Sequence, residues 1–154
     1  MKDALMSDTE ISTENMLDDL PEGIRDSVFG IGVDIASIER MKLAINRSGE
    51  KFLNLVYSKD EQEYCESAEK KYERYSACWA AKEAAVKALG TGFRYSISFK
   101  DIELKSGDGS RPKLKLSGKF LEIMQENNVN YSHISISHEG ENAVAVVMLC
   151  RVSK

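Results

Sequence analysis

The sequence predicts an α+β domain in which an antiparallel sheet packs against one long helix. Three observations carry this. An alanine-rich stretch from about Lys70 to Leu89 reads as a continuous helix that Gly90 and Gly92 stop, since glycine tolerates the left-handed backbone of a helix end. After that point the apolar residues switch to the two-residue period of strands. Near the end, Glu139-Gly140-Glu141-Asn142 separates two β-rich runs as a hairpin turn would.

In chain order, residues 1–27 are dominated by acidic and polar side chains, among them Asp3, Asp8, Glu10, Asp18 and Glu22. They are expected to form a flexible acidic extension, with a short helix around Ile11 to Leu20, before a domain spanning 28–154. Val28 to Ile35 is an apolar, glycine-containing run that reads as a buried strand. Ile38, Met41 and Ile45 fall on one face of a helix running to Asn46. Ser58 with Glu61 three residues on is the signature of a capping box at the next helix. Ile97, Phe99, Ile102 and Leu104 suggest a strand of about eight residues with a register irregularity. Lys105 to Pro112 reads as a turn, Lys113 to Leu116 as a strand and Ser117 to Asn127 as a helix. His133 to Ser137 and Ala143 to Val147 are the strands of the hairpin.

The 154 residues favour a single domain, and 42% apolar with 30% charged residues is an ordinary globular composition. A net charge of −4 gives no general attraction to nucleic acid or to an anionic membrane. No apolar run approaches the roughly 20 residues that span a bilayer, and no secretory signal is visible, so a cytoplasmic protein is the expectation. The three cysteines form no CxxC pair and are expected to be reduced, small and buried.

Some residues could carry chemistry. Asp34 ends the first strand, where an aspartate commonly caps or turns the chain into a following helix. Glu83 and Lys87 are four apart and share a helix face. That spacing suits a surface ion pair. It equally suits a metal-bound phosphate, the carboxylate holding a hard cation and the lysine the anion. Ala80, Ala84 and Ala88 around them allow a ligand or another backbone to come close, and Trp79 lies one turn before Glu83. Of the two histidines, His133 and His138 are an odd number apart and should face opposite sides of a strand, with His138 near the hairpin.

Taken together, Gly30-Ile31-Gly32-Val33-Asp34-Ile35, Ala80-Ala81-Lys82-Glu83-Ala84, Lys87-Ala88-Leu89-Gly90-Thr91-Gly92 and Ile134-Ser135-Ile136-Ser137-His138 resemble the successive motifs of the holo-[acyl-carrier-protein] synthases, within the 4′-phosphopantetheinyl transferase superfamily. The resemblance runs from about Phe29 to Val147. It implies a single-module subunit of the phosphopantetheinyl transferase fold that moves 4′-phosphopantetheine from coenzyme A to a serine of apo-acyl carrier protein. The reaction releases 3′,5′-ADP, depends on magnesium and serves fatty acid biosynthesis. By the same resemblance, Asp34 and Glu83 are magnesium ligands and Lys87 contacts the coenzyme phosphates near the reacting bond. Gly90 and Gly92 let the pantetheine pass, Pro112 packs the adenine and His138 lies on the coenzyme site. Arg40, and in the same basic region Arg47 and Lys51, meet the acidic carrier. A homotrimer with sites between subunits is implied as well. The chain departs from the family at Cys78-Trp79, where an arginine that helps bind coenzyme phosphate and then a phenylalanine are usual. Lys82 and Arg94 are the candidates to replace that cation.

Two rival readings remain at this stage, besides a structural interaction protein, for which the acidic extension is the only support. One is a carrier-docking module without catalysis, which would need none of Asp34, Glu83 and Lys87. The other is a nucleotide phosphotransferase of another kind; with no GxxxxGK[ST] loop in the sequence, it is not a P-loop enzyme.

Overall fold

The computed structural model describes residues 27–106 and 109–152. Apart from Ser27, the acidic extension and the short helix expected within it lie outside the described residues. Strand β1 (Val28–Ser37) is followed by helices α1 (Ile38–Val56), α2 (Lys59–Glu66) and α3 (Lys71–Leu89). Then come strands β2 (Ile102–Lys105) and β3 (Lys113–Leu116), helix α4 (Gly118–Glu126), and strands β4 (Tyr131–Glu139) and β5 (Asn142–Cys150). The sheet β1-β5-β4 is antiparallel, and β2-β3 forms a separate antiparallel ladder.

Helix α3 is the centre of the molecule. Its alanines other than Ala77, with Tyr75, Cys78, Val86 and Leu89, are buried. Small and apolar residues spread over most of a helix's circumference put it in a core. Gly90 ends it in the left-handed region at φ 80°, as the glycine pattern predicts.

The approach of β1 to α3 is closer than any side chain would allow. A methyl group on Gly32 would overlap the Ala84 carbonyl and come within 2.6 Å of the Ala88 amide nitrogen, and one on Gly30 would overlap the Ala88 carbonyl. The small residues at 84 and 88 therefore admit a backbone, that of β1. Gly32→Ala should lower stability by about 1–3 kcal/mol, the usual cost of overpacking. Urea denaturation checks this, and an unchanged midpoint would mean that strand and helix are not in close contact.

Three elements differ from expectation. Strand β1 is not buried as a whole: Gly30, Gly32 and Ala36 face α3, but Ile31, Val33 and Ile35 on its other face are exposed, because only one side of the sheet is covered. No eight-residue strand spans 97–104. Instead, the Ser98 and Lys100 amides are held by the Asp101 carboxylate and the Ser98 hydroxyl, at 3.1 and 3.2 Å, closing a 3₁₀ turn over Phe99–Asp101 before the four-residue β2. Apolar spacing alone cannot tell a capped turn that points two side chains inward from a strand. Helix α1 also runs ten residues past Asn46, through a break at Gly49 with φ 54°. The capping box is present as read: Ser58 and Glu61 satisfy each other's amides.

Glu61 does more than cap. Its carboxylate also accepts from the Leu104 amide at 3.1 Å and from Lys82 Nζ at 2.8 Å. Lys82 is fully buried and donates further to the Phe99 carbonyl at 2.9 Å and to the Ile102 carbonyl. This network joins α2, α3, the 3₁₀ turn and β2. The three cysteines are free and buried, as expected, but Cys65 and Cys78 meet with sulfurs 3.9 Å apart.

Candidate active site

Asp34 lies on the face of β1 that carries Gly30, Gly32 and Ala36, and so turns toward α3. The capping role expected at this strand end belongs to Ser37, whose hydroxyl accepts from the Arg40 amide at 3.3 Å. Asp34 is left free for another partner, and Lys87 takes it. Lys87 Nζ donates to Asp34 Oδ1 at 2.8 Å and to the Val33 carbonyl at 3.0 Å. The ion pair of Lys87 is therefore with a strand 53 residues away and not with Glu83 on its own helix.

Glu83 sits one turn before Lys87 and is partly buried. Burial first, and then the charge of Asp34, push its carboxyl above the ordinary carboxylate range, with Lys87 opposing. Asp34 and Glu83 line one cleft of about 300 Å³ together with Arg40, Phe52 and Trp79. The Trp79 ring stacks on Phe99 with centroids 5.4 Å apart and lies 6.1 Å from that of Phe52, which makes one wall apolar. Among the described residues no group of three or more histidines, cysteines or carboxylates could hold a metal. An ion here would rest on these two carboxylates, a donor set that suits magnesium.

A second cleft, of about 330 Å³, brings together Pro112 and His138 with Tyr64, Glu73, Arg74 and Ile136. His138 Nε2 is 3.4 Å from Glu73 Oε1. His133 is on the opposite face of β4, as the odd spacing predicts, with its ring edge-on to Tyr131. Gly90 and Gly92 both have positive φ, and open space lies where a side chain would project. Arg47 and Lys51 are exposed on α1 with Arg40 and Lys42, but unlike Arg40 they line neither cleft.

Lys82 is not a replacement for the cation that the resemblance leads one to expect at position 78: it is spent in the core on Glu61. Arg94 is exposed and lines neither cleft. The cation that does reach the Pro112–His138 cleft is Arg74, which the sequence reading passed over. Its position one helical turn before Cys78 was a usable signal.

A family model described as the 4′-phosphopantetheinyl transferase superfamily matches residues 30–147. A protein of Halothermothrix orenii named holo-[acyl-carrier-protein] synthase is 42% identical over 121 residues, covering 79% of this chain and 96% of its own. Among solved structures, the holo-[acyl-carrier-protein] synthase of Neisseria meningitidis superposes with a TM-score of 0.72 at 28% identity, over 79% of this chain and 98% of that one. The Helicobacter pylori synthase in complex with coenzyme A gives 0.68 at 34% identity, over 77% and 98%.

Proposed function

Because this chain belongs to the 4′-phosphopantetheinyl transferase superfamily, we propose that it moves 4′-phosphopantetheine from coenzyme A to a serine of apo-acyl carrier protein. The carrier is that of fatty acid biosynthesis, the role the family resemblance implies. One observation supports the site assignment: Asp34 and Glu83, 49 positions apart in sequence, line one cleft, and Lys87 is ion-paired to Asp34 at 2.8 Å.

In this reading the serine oxygen forms a bond to the β-phosphorus of coenzyme A, the phosphoanhydride bond breaks, and 3′,5′-ADP leaves with the electron pair. Lys87, half exposed and held against Asp34, which lines the cleft, meets the phosphate oxygens on which charge develops. Glu83, a carboxylate on the cleft wall, is the group that takes the serine proton. Asp34 and Glu83 repel each other with a single lysine nearby, a pair that a divalent cation would relieve, and they would hold magnesium. A magnesium ion held there would supply positive charge to offset that developing on the cleaved pyrophosphate. Arg40 at the cleft, with Lys42, Arg47 and Lys51 exposed along the same helix, steers an acidic carrier despite the negative net charge. The coenzyme runs past Gly90 and Gly92 and ends on Pro112 and His138. The free thiols support a reducing compartment, the cytoplasm.

The test is mass spectrometry of an apo-carrier incubated with coenzyme A, magnesium and this protein. Gain of one phosphopantetheine with release of 3′,5′-ADP is expected. Carrier binding without that gain would leave only a docking module.

The assembly we propose is a homotrimer with sites between subunits. The sheet face turned away from α3 is apolar and bare: Ile31, Val33 and Ile35 are 62%, 52% and 65% exposed, and they pair with Met148, Val146 and Val144. A contiguous patch of this kind marks an interface. Ile31→Asp should therefore lower the mass seen by light scattering and make activity fall on dilution. An unchanged mass would exclude this face. The catalytic unit is residues 28–154, so removing residues 1–27 is expected to leave the transfer rate unchanged.

A further inference from the structure

We propose that Arg74 binds a phosphate monoester, the ribose phosphate at the adenine end of coenzyme A, in the cleft it shares with Pro112 and His138. The proposal rests on the coenzyme reading above and names a residue that selects among coenzymes.

The guanidinium is fixed before any ligand arrives. Arg74 Nη1 donates to the Tyr64 carbonyl at 2.6 Å and to the Ser67 hydroxyl at 3.2 Å, and the group lies 4.3 Å from the centre of the Tyr64 ring. An arginine has five N–H donors. Those on Nε and Nη2 have no acceptor among the described residues, and no carboxylate of those residues pairs with the side chain. By contrast, Lys71, Lys87 and Lys105 are each neutralised by an acid. An oriented guanidinium with unspent donors matches the geometry of phosphate oxygens.

The surroundings fit a nucleotide. Tyr64, Leu104, Pro112 and Ile136 supply apolar surface for a base. Among the described residues Glu73 is the one acid lining the cleft, and it faces His138 at 3.4 Å. The adjoining cleft, which shares Tyr64, Leu104 and Ser106, adds Arg111 and Lys113; among its described lining residues the one acid, Asp60, is paired with Lys105, a balance that favours an anion. Arg74 is also too remote to serve the reacting phosphate within its own chain: nine residues separate it from Glu83, about 13 Å along a helix. It must meet the other end of the molecule.

The experiment is calorimetric binding of coenzyme A and of 3′-dephospho-coenzyme A, with magnesium present, to the full chain and to its Arg74→Met and Arg74→Lys variants. Arg74→Met should weaken coenzyme A about tenfold or more, as loss of a charged hydrogen bond does, and leave the dephospho form within about twofold. Arg74→Lys should fall between, and in the transfer assay KM for coenzyme A should rise while kcat holds. Equal weakening of both ligands by both variants would make Arg74 a structural residue and overturn the proposal, as would no weakening of either. If the unaltered chain binds neither coenzyme, the coenzyme reading itself falls, and this inference with it.

Discussion

Glu83→Gln should reduce transfer by about a hundred- to a thousandfold, the usual cost of removing one preorganised electrostatic partner of a transition state, while the protein stays folded. The amide keeps the shape of the side chain and removes its charge, so the cleft retains its volume and loses one of its two anionic donors. The stability effect is expected to run the other way. In the metal-free protein, burial and Asp34 raise the proton affinity of Glu83 above that of the unfolded chain. An acid held this way contributes stability below its ordinary range, and that contribution is lost as pH rises through its raised value. At neutral pH the ionised carboxylate is a cost, and the amide removes it. Thermal denaturation should give a midpoint equal to or above that of the parent, alongside the loss of rate. Asp34→Asn should also abolish transfer, and it additionally releases Lys87 from its 2.8 Å contact. Full magnesium-dependent activity in a folded Glu83→Gln protein would remove the site assignment.

Lys82→Met should have the largest effect on stability, a loss of about 3–5 kcal/mol, because it strands a buried carboxylate. Both side chains of the Lys82–Glu61 pair are 0% exposed. Without the ammonium, Glu61 keeps the Ser58 and Leu104 amides but no compensating charge, and the carbonyls of Phe99 and Ile102 lose their donor. Adding Glu61→Gln to Lys82→Met should recover much of the loss, which a urea-denaturation double-mutant cycle measures. The same variant separates two roles for Lys82. A phosphate contact predicts weakened coenzyme binding with normal stability; a core anchor predicts the reverse order of effects. A loss below about 1 kcal/mol would mean that the pair does not hold the 3₁₀ turn and β2 in place.

The N-terminal limit of α3, its glycine stop, the Ser58–Glu61 box and the hairpin at Gly140 were all legible from the sequence, because each depends on residues within a few positions of one another. The spacing of Glu83 and Lys87 on one face was legible for the same reason. Whether they formed a surface pair or part of a site was not, since the partner of Lys87 comes from β1. The family motifs pointed to Asp34. The role of Asp34 in the chain's own terms depended on Ser37 taking the cap, a choice made by backbone geometry at the start of α1.

The sequence by itself determined the periodicities, the breakers and the order of motifs, and through them the fold class and the family, because those signals are local and add along the chain. Only the tertiary structure decided which charges are spent and which are available. Lys82 is consumed by Glu61, Lys87 is lent to Asp34, and Arg74 is turned into a cleft beside His138. The energy of a charge is set by its burial and by partners tens of residues away, and neither is written in its neighbours.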